Sequence, residues 1–188
     1  MCFIRAAIVL SCAAIPAAGQ PLPERLEPCL ACHGEKGQSE TPEVPSLGGQ
    51  PAMFVTIELF MFRGKQRRVE VMNESTKELT DADLTAFAAY LAKLPPPKPP
   101  TAGADQARLA RGRTLAEQHR CGFCHNPDYS GREQMPRLAN QREDYLLKAL
   151  RDYKSGARPG YDAIMAQVLY PLGDAEIADL AHFLAQFQ

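Results

Sequence analysis

The chain has 188 residues, a length that suits one or two domains. Its 21 basic and 22 acidic side chains nearly cancel, which excludes the strongly basic footprint of a nucleic-acid binder. No apolar run reaches the roughly 20 residues that a membrane-crossing helix needs.

Residues 1–19 read as a signal peptide. Arg5 is the one positive charge, an apolar run follows from Ala6 to Ile15, and Ala17-Ala18-Gly19 offers small residues for cleavage before Gln20. The Ile15-Pro16 step argues against a buried helix here. Val9-Leu10-Ser11-Cys12 also resembles a lipobox, with Cys12 as the acylated residue, but the stretch before Cys12 is short for that signal. Cleavage and export are the expectation. Of the six cysteines, Cys2 and Cys12 fall in this leader, and the other four form two pairs.

Residues 20–28 hold three prolines and leave room for barely one helical turn. Then comes Cys29-Leu30-Ala31-Cys32-His33, a C-x-x-C-H pentapeptide. The spacing has a chemical reason. Two thiols three positions apart sit on one turn and can each form a thioether with a haem vinyl group, and the following His is held under the iron as an axial ligand. A Gly-, Pro- and Ser-rich loop runs from Gly34 to Gly49. Met53 to Phe62 is apolar at helical spacing, with Phe54, Ile57, Leu59 and Phe62 as core candidates. A basic turn, Arg63 to Arg68, precedes Met72. Thr80-Asp81-Ala82-Asp83 marks a helix start, and that helix runs to Leu94, burying Leu84, Phe87, Ala88 and Leu91.

Five prolines in Pro95-Pro-Pro-Lys-Pro-Pro100 favour a stiff extended spacer, so residues 95–104 read as a linker between domains at 20–94 and 105–188. Asp105 to His119 is an amphipathic helix, with Ala107, Ala110, Arg111, Thr114 and Leu115 near one face. Gly112 in its interior costs about 1 kcal/mol against Ala, which suggests close approach of another helix. The second pentapeptide, Cys121-Gly122-Phe123-Cys124-His125, follows. A loop to Asn140, a helix at Tyr145 to Tyr153, a turn from Ser155 to Gly160, Met165, and a closing helix at Asp174 to Phe187 complete the chain.

The halves repeat one another. Pro45, Leu47, Gln50, Phe54, Leu59 and Phe62 match Pro136, Leu138, Gln141, Tyr145, Leu150 and Tyr153 at a constant spacing of 91. Met72, Leu79, Asp83, Tyr90 and Leu91 match Met165, Leu172, Glu176, Phe183 and Leu184 at 93. The offset shifts only in loops and turns, as two copies of one fold would show.

A duplicated C-x-x-C-H behind an export signal points to two covalently bound haem c groups. A zinc site built from both Cys pairs is the poorer reading, because the pairs lie in separate repeats and each His directly follows its Cys. A second axial ligand is needed in each half. His119 and His182 both lie in the second half and read as structural or surface residues. Met72 and Met165 hold matching repeat positions and are the candidates, whereas Met53, Met61 and Met135 read as core filler. Arg63, Arg67, Arg68, Arg151, Lys154 and Arg158 read chiefly as solvated faces, with neutralisation of haem propionates or an acidic partner patch as the alternative.

The order C-x-x-C-H-G, Pro-x-Leu-x-x-Gln, Tyr-Lys-Ser-Gly-x-Arg, Met and a Leu-x-Asp-x-x-Ile-Ala-Asp-Leu-Ala helix resembles the dihaem cytochromes c4, periplasmic proteins made of two class I cytochrome c domains. The resemblance spans Cys29–Leu94 and Gly112–Phe183. It implies an all-α fold of two tandem haem domains facing each other, with Cys29, Cys32, His33 and Met72 on one haem and Cys121, Cys124, His125 and Met165 on the other. It further implies that the Pro45 and Pro136 carbonyls accept the Nδ1 hydrogens of His33 and His125, that Gly112 lies where helices cross near Phe183, and that the protein passes electrons to a terminal oxidase. Two departures stand out. The first half lacks the usual leading helix, leaving Tyr90 without a partner, and Asn126 replaces the Gly that follows the first motif.

With both axial positions filled, the expected role is a one-electron carrier between redox proteins, with membrane-surface association kept open. A fixed electron-transfer subunit of a dehydrogenase complex is the alternative. An enzyme such as a dihaem peroxidase would need an iron with a labile sixth ligand.

Overall fold

The computed structural model describes residues 21–101, 103–159 and 163–188. The leader reading, Cys12 included, lies outside them. The described residues fold as α-helices and irregular connections, with a lone bridge between Arg132 and Met135.

The first helix corrects an expectation. α1 (Leu22–His33) gives Cys29 a leading helix instead of a single turn. Pro23 falls in the first turn, where a missing N–H is no loss. Pro28 lies inside the helix, a position that costs about 3 kcal/mol. Packing offsets it. Leu26 is fully buried, and Arg25 pairs with Asp83 at 2.7 Å while lying over the Phe87 ring at 5.3 Å. Both partners belong to α4 (Asp81–Leu91), so the closing helix of the first half has its crossing partner and Tyr90 is half-buried.

α2 (Ala52–Arg63) buries Val55, Met61 and Phe62, while Phe54, Ile57 and Leu59 are half-buried. Met53 is 53% exposed and is not core filler. α3 (Glu70–Thr76) carries Met72 and was not legible as a helix. It is held by a buried amide rather than by an apolar stripe. Asn73 donates to the carbonyls of Phe62 at 2.6 Å and Arg67 at 2.8 Å, and accepts from the Val69 N–H at 3.0 Å. α4 begins at the expected cap, with Thr80 and Asp83 bonding each other's backbone N–H, and it buries the four expected residues Leu84, Phe87, Ala88 and Leu91.

In the second half, α5 (Gln106–Gln118) is capped by the Asp105 carboxylate, which accepts from the N–H groups of Ala107 and Arg108. Its buried face is Gly112, Leu115 and Ala116; Ala107, Ala110, Arg111 and Thr114 are exposed, contrary to the sequence reading. α6 (Cys121–His125), α7 (Glu143–Ser155), α8 (Ile164–Leu169) and α9 (Asp174–Ala185) follow. A Cβ on Gly112 would lie 2.3 Å from the Asp179 carbonyl oxygen and 2.5 Å from the Phe183 Cβ, so α5 and α9 cross at that glycine as expected.

Substantial helix–helix packing stays within α1–α4 or within α5–α9. The second core is the larger. It gathers Leu115, Leu146, Leu150, Leu169, Ile177, Leu180 and Leu184, with Tyr129, Phe183 and Phe187 packed edge to face at 4.9–5.8 Å. The first centres on Val55, Ala88 and Leu91. The proline segment packs back on the first half, where Gln38 and Lys98 exchange hydrogen bonds and Pro97 is buried.

The halves meet through their loops in a nearly two-fold way. The Gln50 amide donates to the Arg137 carbonyl at 3.1 Å and accepts from the Arg137 N–H at 2.9 Å. The Gln141 amide donates to the Ser46 carbonyl at 2.9 Å and accepts from the Ser46 N–H at 2.7 Å. Gln50 and Gln141 are repeat equivalents, and so are Ser46 and Arg137 at the same spacing of 91. Each half therefore makes on the other the contact it receives.

Candidate haem-binding sites

Cys29, Cys32 and His33 occupy the last turn and a half of α1, while Cys121, Cys124 and His125 make up most of α6. In both motifs the helix stops at the His. Gly34 leaves it with φ +87°, and an added Cβ would lie 2.0 Å from the Gln38 carbonyl oxygen. Asn126 adopts a similar backbone, with φ 68° and ψ 155°, a conformation rare outside glycine. Its amide offsets the strain by donating to the Ser130 hydroxyl at 2.9 Å and to the Gly131 carbonyl at 2.8 Å. The departure from glycine at position 126 thus leaves the turn unchanged.

Each imidazole is oriented by a proline carbonyl. Nδ1 of His33 lies 2.8 Å from the Pro45 oxygen, and Nδ1 of His125 lies 2.8 Å from the Pro136 oxygen. A carbonyl only accepts, so Nδ1 carries the hydrogen and Nε2 is left with a free lone pair. The His125 Nε2 is buried and has no hydrogen-bond partner among the described residues. Burial holds both imidazoles below the usual histidine range, against a smaller opposing pull from the proline carbonyls, so both rings are neutral, the form that binds a metal. A buried, unprotonated and fixed nitrogen fits an axial ligand to haem iron.

The thiols fit thioether chemistry better than a thiolate site. Burial raises the Cys29 thiol and pushes the Cys121 thiol up to about 11, so both stay protonated at neutral pH. Among the described residues no three His, Cys, Asp or Glu side chains gather as they would around an ion, so the two Cys pairs do not converge.

The loops that carry the two prolines are held alike. Ser39 Oγ donates to the Cys32 carbonyl at 3.1 Å, and Gly131 N–H donates to the His125 carbonyl at 2.9 Å. Gly49 N–H reaches the Leu91 carbonyl of α4 at 3.3 Å, and Asn140 N–H reaches the Leu184 carbonyl of α9 at 2.9 Å. The closing helix of each half therefore positions the loop that orients its histidine.

Met72 and Met165 are half-buried on the short helices α3 and α8. Met165 packs against the second core, as does Cys121. The segment after each methionine is tied to its own half by a cation on the preceding long helix. Arg63 donates to the Leu79 carbonyl at 2.7 Å, and Lys154 donates to the Tyr170 carbonyl at 2.7 Å.

Known proteins resemble this chain over nearly its whole length. It is 30% identical to cytochrome c4 of Azotobacter vinelandii over 83% of this chain and 82% of that protein. The chain belongs to the cytochrome c4 family. It is a dihaem electron carrier, with two covalently bound haem c groups. Residues 109–188 match the cytochrome c family model. The chain is also 31% identical to a thiosulfate dehydrogenase electron acceptor of Thiomonas intermedia (strain K12), over 92% of this chain and 84% of that protein. Reduced recombinant cytochrome c4 from Pseudomonas stutzeri superposes with a TM-score of 0.79 at 27% identity, covering 89% of this chain and 97% of that one. The all-α fold of two cytochrome c units is that of this family.

The basic residues correct the sequence reading. Arg67 and Arg158 are not solvated. Arg158 is 7% exposed; it bonds Tyr145 of its own half and reaches Glu58 of the other, while Arg67 pairs with Glu58 of its own half and reaches the Tyr145 hydroxyl of the other. Glu58 was missed, because a carboxylate on an apolar helix reads as its exposed edge. The reciprocal bonds of Gln50 and Gln141 were missed too, although the match of the two glutamines between repeats was a usable signal.

Proposed function

We propose that the chain is a periplasmic one-electron carrier without an open catalytic iron, built of haem domains at 20–94 and 105–188 joined by the 95–104 linker. Cys29 and Cys32 would hold one haem through thioethers, with His33 and Met72 as its iron ligands, and Cys121 and Cys124 would hold the other, with His125 and Met165. Each haem would supply a one-electron ferric–ferrous couple, and an iron so ligated would leave no place for a substrate. The observation that carries this reading is the pair of preset imidazoles, each with its Nδ1 hydrogen committed to a proline carbonyl. The partners are redox proteins met through small, transient contacts. A second reading, an electron acceptor for a dehydrogenase, is favoured by the likeness to thiosulfate dehydrogenase electron acceptors.

Visible spectra of the holoprotein test the ligand set. Met72→Ala and Met165→Ala should each remove about half of the methionine–iron charge-transfer band and make one haem bind carbon monoxide. Carbon monoxide binding or a high-spin signal in the unmodified protein at neutral pH would sink the carrier reading. Reduction by thiosulfate through a purified thiosulfate dehydrogenase, compared with reduction by other donors, separates the two readings.

A further inference from the structure

The contact between the halves holds a charged cluster that is nearly symmetric. Arg67 and Arg158 are repeat equivalents at the spacing of 91, and each guanidinium lies over the ring at the same repeat position, Phe62 at 4.5 Å and Tyr153 at 4.6 Å. Both converge on one carboxylate. Arg158 Nη2 donates to Glu58 Oε1 at 2.9 Å, and Arg67 Nη1 donates to Glu58 Oε2. Both also donate to the Tyr145 hydroxyl, at 3.2 and 3.4 Å.

Two members break the symmetry. Ala149 holds the place of Glu58 in the second repeat, and Phe54 holds the place of Tyr145 in the first. Two guanidiniums therefore share a single carboxylate, and the cluster carries one net positive charge. All three charged side chains are mostly buried, 7–15% exposed. Burial pushes the Glu58 carboxyl upward, but Arg158 and Arg67 outweigh this and hold it below the usual range, so it stays ionised. Arg158 Nε is buried and has no partner among the described residues. A buried guanidinium left short of acceptors and of counter-charge is costly, and a further carboxylate would satisfy both needs. Haem c brings carboxylates of this kind in its propionates.

We propose that Glu58 is a positioning residue for electron transfer: it ties the two repeat-equivalent arginines into one electrostatic unit that both haems sense. This rests on the dihaem reading above. Neutralising Glu58 removes one negative charge from the cluster, which favours the reduced state at both haems. Neutralising an arginine does the reverse. Because the clamp is shared, a substitution in one half moves the potential of the haem in the other.

Potentiometric titration of the holoprotein tests this. The unmodified protein should take up two electrons per chain; uptake of one overturns the dihaem reading itself. In Glu58→Gln both steps should rise, each by a threefold or larger change in the redox equilibrium, about 28 mV at 59 mV per tenfold. In Arg158→Gln both should fall, and Arg158→Lys should restore them. Should Glu58→Gln not accumulate, Arg67→Gln gives the same reading, with both steps falling. Two intact steps of which one or neither moves, with unchanged visible spectra, would overturn the shared role of Glu58.

Discussion

At Gly112 there is no room for a side chain. Alanine there would gain about 1 kcal/mol of helix propensity, but its Cβ would lie 2.3 Å from a backbone oxygen that no rotamer change can move. The two helices would have to separate, at a cost of about 1–3 kcal/mol. Gly112→Ala should therefore lower the thermal midpoint of the holoprotein in spite of its better propensity, as calorimetry would show. The reason for this glycine was legible because a glycine inside an otherwise good helix needs one. The two C-x-x-C-H motifs were equally legible, since their chemistry is local and their spacing fixed. The buried face of α5 was not. Its sequence is largely polar, and the turns that carry Ala107 and Ala110 look as apolar as those that carry Gly112 and Ala116.

Helices α5 and α9 are fastened by one carboxylate. Asp179 accepts from Arg111 at 2.5 and 3.1 Å and from Arg108 at 3.3 Å. Arg111, then Arg108, holds its carboxyl below the usual carboxylate range against the opposing effect of burial. A carboxyl with a lowered folded pKa stabilises the fold above its unfolded value of about 3.9, and that stability is lost as pH falls through the folded value. Asp179→Asn should lower stability by about 1 kcal/mol at pH 7, since its arginines are partly exposed. The difference from the unmodified protein should shrink below about pH 4, as thermal melts across pH would record. At the level of elements the sequence identified the longer helices but missed α3, α8 and the start of α1. Asn73 holds α3 through side-chain bonds that leave no periodic trace, and two prolines disguised a helix that packing against α4 sustains.

At the scale of the whole molecule, the contact between halves holds two glutamine amides, each of which exchanges hydrogen bonds with the backbone of the other half. Gln141→Ala strips the Ser46 N–H and carbonyl of their partners in a buried setting and should cost about 2–3 kcal/mol. Gln50→Ala does the same to Arg137 in a partly buried setting and should cost less, about 1–2 kcal/mol. Denaturant unfolding should rank them in that order. If the two halves were independent, neither substitution would move the midpoint of the other half. Repeat matching identified these glutamines as equivalents but not as contacts with the other half, because similarity between two segments says nothing about whether they touch.

The reciprocal glutamine contact also bears on ancestry. An interface in which each copy gives what it receives is the kind that two identical chains form around a two-fold axis. Any change to such a surface in a single ancestral unit registers twice, once on each side, so a weak gain is doubled before any fusion takes place. Joining the units by a proline-rich tether would then preserve a pairing that already existed. It would also free each copy to diverge, which is how one half could keep a glutamate at position 58 while the other carries an alanine at 149.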